Sequence, residues 1–306
     1  MYLARSLLLA LLLTGAAISH AAPDAAGSEK RTPTEDEELS IAALEGLMAQ
    51  PPERALPILK KVLAGSQSPL VKRRALFVLG QVDSQEARDL LLQTARSPNT
   101  ELRGEAIRSI GIGGDAKTLD ALHEIYKTTA DAGLKKEILQ AWMIAGRKEV
   151  VYQVALNAKT EEDASEAIRM LGVMGATEEL RKLGDRPTQP RGLLEAYAIA
   201  GDLEGLLKIV NGPGDRAMRV DAVRRIGIIG RDDARKALRD IYAKSPDAGM
   251  REAALQGMLI SHDEEGVLAL YRAAKTADEK RSLLRMLTLM GGDAALQAID
   301  AQLEKK

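Results

Sequence analysis

The sequence predicts an all-α protein, a right-handed α-solenoid of about eight to nine stacked helical hairpins. Three observations predict it. Apolar and small residues recur at spacings of three and four, as in Leu102, Ala106, Ile110 and Gly113, which places them on one helical face. The chain repeats itself at a fixed period, the signature of a repeat architecture. No stretch alternates apolar and polar residues with β-branched enrichment, so strands are not expected.

The N-terminus reads as an address. Met1 to Ser6 carries one positive charge, Arg5, and Leu7 to Ile18 is an unbroken run of apolar and small residues. Ser19-His20-Ala21 follows, with small residues where a signal peptidase reads. Residues 1–21 are therefore expected to be a secretory signal peptide cleaved after Ala21. An apolar run of about 12 residues is too short to cross about 30 Å of hydrocarbon. No Cys follows it, because the chain has none, so a lipid-modified cysteine is ruled out. Residues 22–38 are rich in Ala, Pro, Ser, Thr and charge, and read as a disordered spacer. The expected solenoid fills 39–306.

Within the solenoid, sliding the sequence along itself by 116 residues lays 102–180 on 218–296 without a gap. Ile110-Gly111-Ile112 meets Ile226-Gly227-Ile228, Ile125-Tyr126 meets Ile241-Tyr242, and Arg169-Met170-Leu171 meets Arg285-Met286-Leu287. A shorter period of about 30 residues lies inside the long one. Each unit opens with an apolar-basic step and an Ala, then closes on a small residue. The openings are Val71, Leu102, Leu134, Asp163, Gly192, Met218, Met250 and Glu279. A second apolar-periodic stretch follows each, such as Leu119 to Tyr126 or Ala234 to Tyr242.

Punctuation fits helical pairs. Gly80, Gly114, Gly146, Gly175, Gly201, Gly230 and Gly291 stand where helices must end. Asp83, Asp115, Asp202 and Asp293 follow, placed to cap the next helix. A lone hairpin cannot bury its stripe, so stacked hairpins must share one core. Eight or nine pairs at the usual helix spacing give a body of about 80 Å. The unit at 184–205 departs from the pattern: Pro187, Pro190 and Gly192 replace the basic step, and a bend is expected there.

The units resemble HEAT or HEAT-like repeats of the phycobilisome-lyase type. The residues that carry the resemblance are Val71-Lys72, Leu102-Arg103, Leu134-Lys135, Met218-Arg219 and Met250-Arg251, each followed by an Ala or its register equivalent and a small-residue closure. It covers about Ile41 to Leu303. The resemblance implies that the helices at the eight openings line the concave face and serve protein recognition.

Composition closes off several functions. The charges are 43 Lys+Arg against 44 Asp+Glu, and the aromatic fraction is 3%. Nucleic-acid binding usually needs a basic excess and stacking rings, so no nucleic-acid partner is expected. Absence of Cys excludes disulfides, thiol catalysis and Cys-ligated zinc. Only three His are present. His20 leaves with the leader, and His123 and His262 fall in different repeats, where packing explains them better than ligation. Gly111-x-Gly113-Gly114 follows no strand, so it is not a dinucleotide loop. Asp232-Asp233 and Glu264-Glu265 sit at helix starts, where the dipole accounts for them. No catalytic set, metal site or cofactor is expected.

Two basic series remain. Lys72, Arg103, Lys135, Arg219 and Arg251 occupy the apolar-basic step. In HEAT-like stacks that position reaches an acid in the neighbouring repeat, so a structural polar ladder is expected. Arg108, Arg169, Arg224 and Arg285 share a second register in alternate repeats, with Phe77, Gln140, Ala198 and Gln256 between them. They point away from the core and are candidate partner-binding residues, since guanidinium groups hold carboxylates well. Glu105, Glu166 and Asp221 lie three residues earlier and offer local pairing instead. Arg285 has Ser282 there.

The reading is an exported, periplasmic, non-enzymatic scaffold that binds a protein or peptide on its concave face. Two alternatives stay open. One is a HEAT-like lyase or chaperone-type activity, which a chromophore spectrum would reveal. The other is an anionic ligand, a lipid headgroup or nucleic acid, held on the arginines with strong salt dependence.

Overall fold

The computed structural model describes residues 32–186 and 192–304. The expected signal peptide with its cleavage point at Ala21, most of the spacer, and Pro187 and Pro190 lie outside the described residues. Those described form α-helices and one short 3-10 turn, with no strand among them.

The helices run in chain order as successive hairpins, and most even-numbered helices pack more closely on the odd-numbered helix after them than on the one before. The first hairpin is α1 (Glu35–Gly46) with α2 (Pro52–Ala64), the next α3 (Pro69–Leu79) with α4 (Gln85–Ala95). Then come α5 (Thr100–Gly113) with α6 (Ala116–Thr128), and α7 (Ala132–Ile144) with α8 (Lys148–Asn157). α9 (Glu161–Val173) pairs with α10 (Thr177–Gly184), and α11 (Leu193–Ala200) with α12 (Leu203–Asn211). α13 (Arg216–Ile229) pairs with α14 (Asp232–Lys244), α15 (Ala248–Ile260) with α16 (Glu264–Ala273), and α17 (Ala277–Met290) with α18 (Gly292–Leu303). The chain is thus a solenoid of helical hairpins.

Capping residues set the starts. The side chains of Thr34, Ser68, Ser84, Asn99, Asp115, Asp131, Thr160, Asp247 and Thr276 each accept a hydrogen bond from a backbone N–H in the first turn that follows, which satisfies an otherwise orphaned donor. Ser84, not Asp83, caps α4. Asp293 lies inside the first turn of α18 and does not cap it. Thr34 and Glu37 form a capping box, so helix begins at Glu35, inside the stretch read as spacer to residue 38. A four-residue acidic start, Glu35 to Glu38, looked like solvated linker. At a helix N-terminus it suits the dipole.

Several ends are set by left-handed turns, whereas Gly80 and Gly114 end their helices at φ of −64° and −68°. Gly146, Gly175 and Gly201 have φ of +69°, +61° and +69°. After each, the next N–H reaches back five residues, as Arg147 N–H does to the Trp142 carbonyl at 2.8 Å. This is the Schellman arrangement. His262 occupies the same place after α15 at φ +51°, with Asp263 N–H on the Met258 carbonyl at 2.9 Å.

The odd-numbered helices form one row and the even-numbered helices a second. Successive odd helices pack directly, α5 on α7, α9 on α11 and α13 on α15 most closely, while successive even helices touch more sparsely. We call the odd-numbered row the inner row and the even-numbered row the outer row. Small residues permit the tightest contacts of the inner row. A Cβ on Gly111 would fall 2.8 Å from the Ala141 Cα, one on Gly172 2.9 Å from the Ala196 Cα, and one on Gly227 2.3 Å from the Gly257 carbonyl oxygen. One continuous apolar core runs between the rows from Leu44 to Ala298. Trp142 is its largest fully buried side chain, and its indole N–H donates to the Leu119 carbonyl at 3.1 Å.

Candidate functional site

The exposed side of the inner row carries three parallel lines of side chains, because residues three and four apart share a helical face. The middle line holds the four arginines. Arg108 is exposed and lies 3.5 Å from Glu105. Arg169 is held by two bonds to Glu166, at 3.0 and 2.5 Å. Arg224 donates to Asp221 at 3.1 Å and across to Gln256 of the next inner helix at 2.7 Å. Arg285 is exposed and has no ion pair among the described residues.

One register assignment is corrected. Ala198 does not occupy the arginine line. It is 4% exposed, and the exposed residue at that level of α11 is Glu195. The close contact of Gly172 with Ala196 matches that of Gly111 with Ala141 and fixes the alignment. The proline-rich joint before α11 had hidden the three-residue shift.

The second line is acidic: Glu105, Glu137, Glu166 and Asp221. Their environments differ. Burial raises the carboxyl pKa of Glu105 against the opposing pull of Arg108, Arg73 and Arg74. Burial likewise raises Glu137, whose Oε2 is enclosed and without a hydrogen-bond partner. Hydrogen bonding from Arg169 lowers Glu166.

The third line is apolar and was not singled out from the sequence. Ile112, Ile144, Val173, Ile199, Ile228, Ile260 and Leu289 follow the middle line by four residues in seven successive inner helices, and all are exposed, from 41% to 73%. Apolar residues on helices read as core. The available signal was an apolar residue at one fixed register beyond what the buried stripe requires. A contiguous exposed apolar patch marks an interaction surface more often than a lone exposed side chain does.

The expected polar ladder is partly rebuilt by neighbouring residues. Arg103 reaches Asp131 at 2.8 Å and Lys135 reaches Asp163 at 2.6 Å, both at the start of the next inner helix. Lys72 makes no ion pair among the described residues; Arg73 pairs with Glu101 instead. Arg219 donates to the Val210 carbonyl at 2.9 Å and Arg251 to the Ser245 carbonyl at 3.0 Å. For the helix pair α13 and α15 the rung is Arg216 with Asp247, bound twice at 2.6 Å. These carboxylates also meet the positive end of a helix dipole. Hydrogen bonding from Arg216 lowers the Asp247 pKa to about 2.

A separate cleft of about 740 Å³ lies between the outer helices α6 and α8, with His123, Tyr126, Val150 and Val154 among its walls. His123 packs against Trp142 at 5.9 Å between ring centroids. Among the described residues, no group of three or more His, Asp or Glu is placed to hold a metal ion. No described helix is long and apolar enough to cross a membrane.

Comparison with known proteins matches residues 56–142 to HEAT repeats. The phycocyanobilin lyase subunit alpha of Picosynechococcus sp. is 26% identical over 226 residues, covering 72% of this chain and 74% of the relative. Human deoxyhypusine hydroxylase covers 83% of this chain and 98% of its own at 15% identity and a TM-score of 0.33. The complex of CpcE and CpcF of phycocyanin lyase from Nostoc sp. covers 89% and 100% at 17% identity and a TM-score of 0.31.

Proposed function

We propose that this chain, a HEAT-like repeat protein, is a scaffold that holds an amphipathic polypeptide along its inner row. The observation that carries the reading is the apolar line from Ile112 to Leu289, exposed at one register in seven successive helices beside the arginines. Inner helices about 8–10 Å apart meet an extended chain that advances about 3.3 Å per residue. A partner in that conformation meets an apolar side chain about every third residue. It meets one of the four arginines about every sixth. The apolar contacts supply affinity by burial, and the guanidinium groups fix register through carboxylates or backbone carbonyls.

Site-directed photocrosslinking tests this. A photoreactive residue at Ile144 or Ile228 is expected to capture a partner, and one at Lys236 on α14 is not. Ile144→Asp with Ile228→Asp should abolish capture. Reversing Arg108, Arg169, Arg224 and Arg285 to Glu should weaken capture and leave the helical circular-dichroism signal intact. Capture equal at all three positions would overturn the proposal. Export to the periplasm, expected from residues 1–21, belongs to the same proposal. It is checked by recovering a periplasmic form whose N-terminus is Ala22.

Similarity to the phycocyanobilin lyase subunit over 72% of this chain favours a second reading, a lyase-type activity on a protein-bound or free chromophore. A saturable shift in the visible spectrum of a bilin on mixing with the protein would select it over a scaffold.

A further inference from the structure

Tyr126 is 8% exposed, and its hydroxyl is enclosed without a hydrogen-bond partner. His123, one turn earlier on α6, has its Nδ1 in the same condition. Both residues line the cleft of about 740 Å³ between α6 and α8, together with Val150, Val154, Ala158 and the Lys135–Asp163 ion pair. Buried polar atoms in folded proteins are nearly always satisfied, so two orphans in one wall need an explanation.

The internal duplication supplies a comparison within the chain. At an offset of 116 residues Tyr126, Lys135 and Asp163 become Tyr242, Arg251 and Glu279, which line a second cavity of about 500 Å³. There the counterpart of His123 is Arg239, which pairs with Asp263 at 3.2 Å. The aliphatic wall of Val150 and Val154 becomes Gly266 and Leu270. The second copy is committed to its own ion pair. The first keeps apolar walls and two unpaired polar atoms. A volume of this size suits a small ligand.

We propose that the cleft between α6 and α8 binds a small, largely apolar molecule carrying a hydrogen-bonding oxygen. The apolar body lies against Val150, Val154 and Ala158. A modest turn of the Tyr126 and His123 rings brings the Tyr126 hydroxyl to donate to the ligand oxygen. Burial and the neighbouring Lys127 lower the His123 pKa, which keeps the imidazole neutral and able to accept. Lys135 lies 5.6 Å over the Tyr126 ring and braces it. The ligand contacts lie apart from the exposed apolar and arginine lines of the inner row, so either reading can fail without the other.

Benzophenone is a suitable probe, since it has a carbonyl and labels its surroundings on irradiation. Diphenylmethane has nearly the same shape and no oxygen. Saturable labelling of the full mature chain is expected within residues 119–159. Diphenylmethane should compete at about fivefold higher concentration than unlabelled benzophenone, the worth of one hydrogen bond. Tyr126→Phe should weaken labelling by about the same factor without lowering thermal stability, because it removes an unsatisfied hydroxyl. Val150→Trp should fill the cleft and block labelling, and Tyr242→Phe should change nothing. Labelling scattered over the solenoid, or labelling of 119–159 indifferent to both Tyr126→Phe and Val150→Trp, would overturn the proposal.

Discussion

Replacing Gly227 by Ala tests whether backbone contact between inner helices holds the solenoid in shape. Gly227 and Gly257 are where α13 and α15 meet. An Ala Cβ at 227 would lie 2.3 Å from the Gly257 carbonyl oxygen and 2.6 Å from its Cα. Both obstacles are backbone, so no side chain can swing aside. Restoring an ordinary contact of about 3.5 Å requires the two helices to part by about 1 Å, and a gap of that size forfeits about a quarter to a half of each affected dispersion contact. The fully buried Val223, Ile226, Ala254 and Met258 border the junction and would share that loss. Overpacking of this kind costs about 1–3 kcal/mol, at the upper end when backbone must move. The better helix propensity of Ala returns up to about 1 kcal/mol. The net expectation is a loss of about 1–2 kcal/mol, or a fall in thermal midpoint of about 2–8 °C, followed by circular dichroism at 222 nm. The control is Gly46→Ala at the end of α1, where an added Cβ meets nothing within 4 Å. The same substitution there should stabilise by a few tenths of a kcal/mol up to about 1 kcal/mol. A Gly227→Ala protein as stable as its parent would refute the reasoning.

Other expectations follow from single residues. His262 is a non-glycine residue at φ +51°, so His262→Gly should gain about 1 kcal/mol, read as a raised thermal midpoint. Gly146→Ala at the matching turn, φ +69°, should lose a similar amount. Asp202 is 3% exposed, accepts from Arg181 at 2.8 and 2.5 Å, and caps α12 through Gly205 N–H at 3.1 Å. Asp202→Ala should cost about 2–3 kcal/mol by urea denaturation, and more than Asp202→Asn, which keeps the cap. Asp247, held at a pKa of about 2 by Arg216, is depressed below the unfolded carboxylate value near 3.9. Its contribution is therefore complete above about pH 4 and is lost as pH falls to about 2. Arg216→Ala should move the Asp247 carboxyl titration, followed by NMR, upward toward the ordinary value.

Sequence periodicity was enough for the hairpins, their order and most of their turns, because Gly at a helix end and Ser, Thr or Asp at the next start act locally. Long-range register was less legible. Ala198 and Glu195 are both plausible partners for the arginine line by counting, and only the packing of Gly172 on Ala196 separates them. The basic step was legible as a position, but the side chain that reaches the neighbouring acid shifts by one residue in one rung and by three in another. Arg73 and Arg216 take the rungs expected of Lys72 and Arg219, since long flexible side chains compete for the same carboxylate. The apolar line beginning at Ile112 escaped because hydropathy alone does not tell an inward face from an outward one. The cleft at Tyr126 needs two outer helices to stand apart, which no local pattern encodes.

The inner row is not uniformly joined. α5 with α7, α9 with α11, and α13 with α15 interlock through glycine and alanine, whereas α7 with α9 and α15 with α17 meet more sparsely. The corresponding positions at the sparser junctions carry long side chains, Met143 and Met170 at one and Leu259 and Met286 at the other. At those two joints an outer helix carries the contact instead, α8 packing closely on α9 and α16 on α17. The stack is therefore held in two ways. Where glycine and alanine meet, backbone lies against backbone along the inner row. Where long side chains keep the inner helices apart, the preceding outer helix closes the joint.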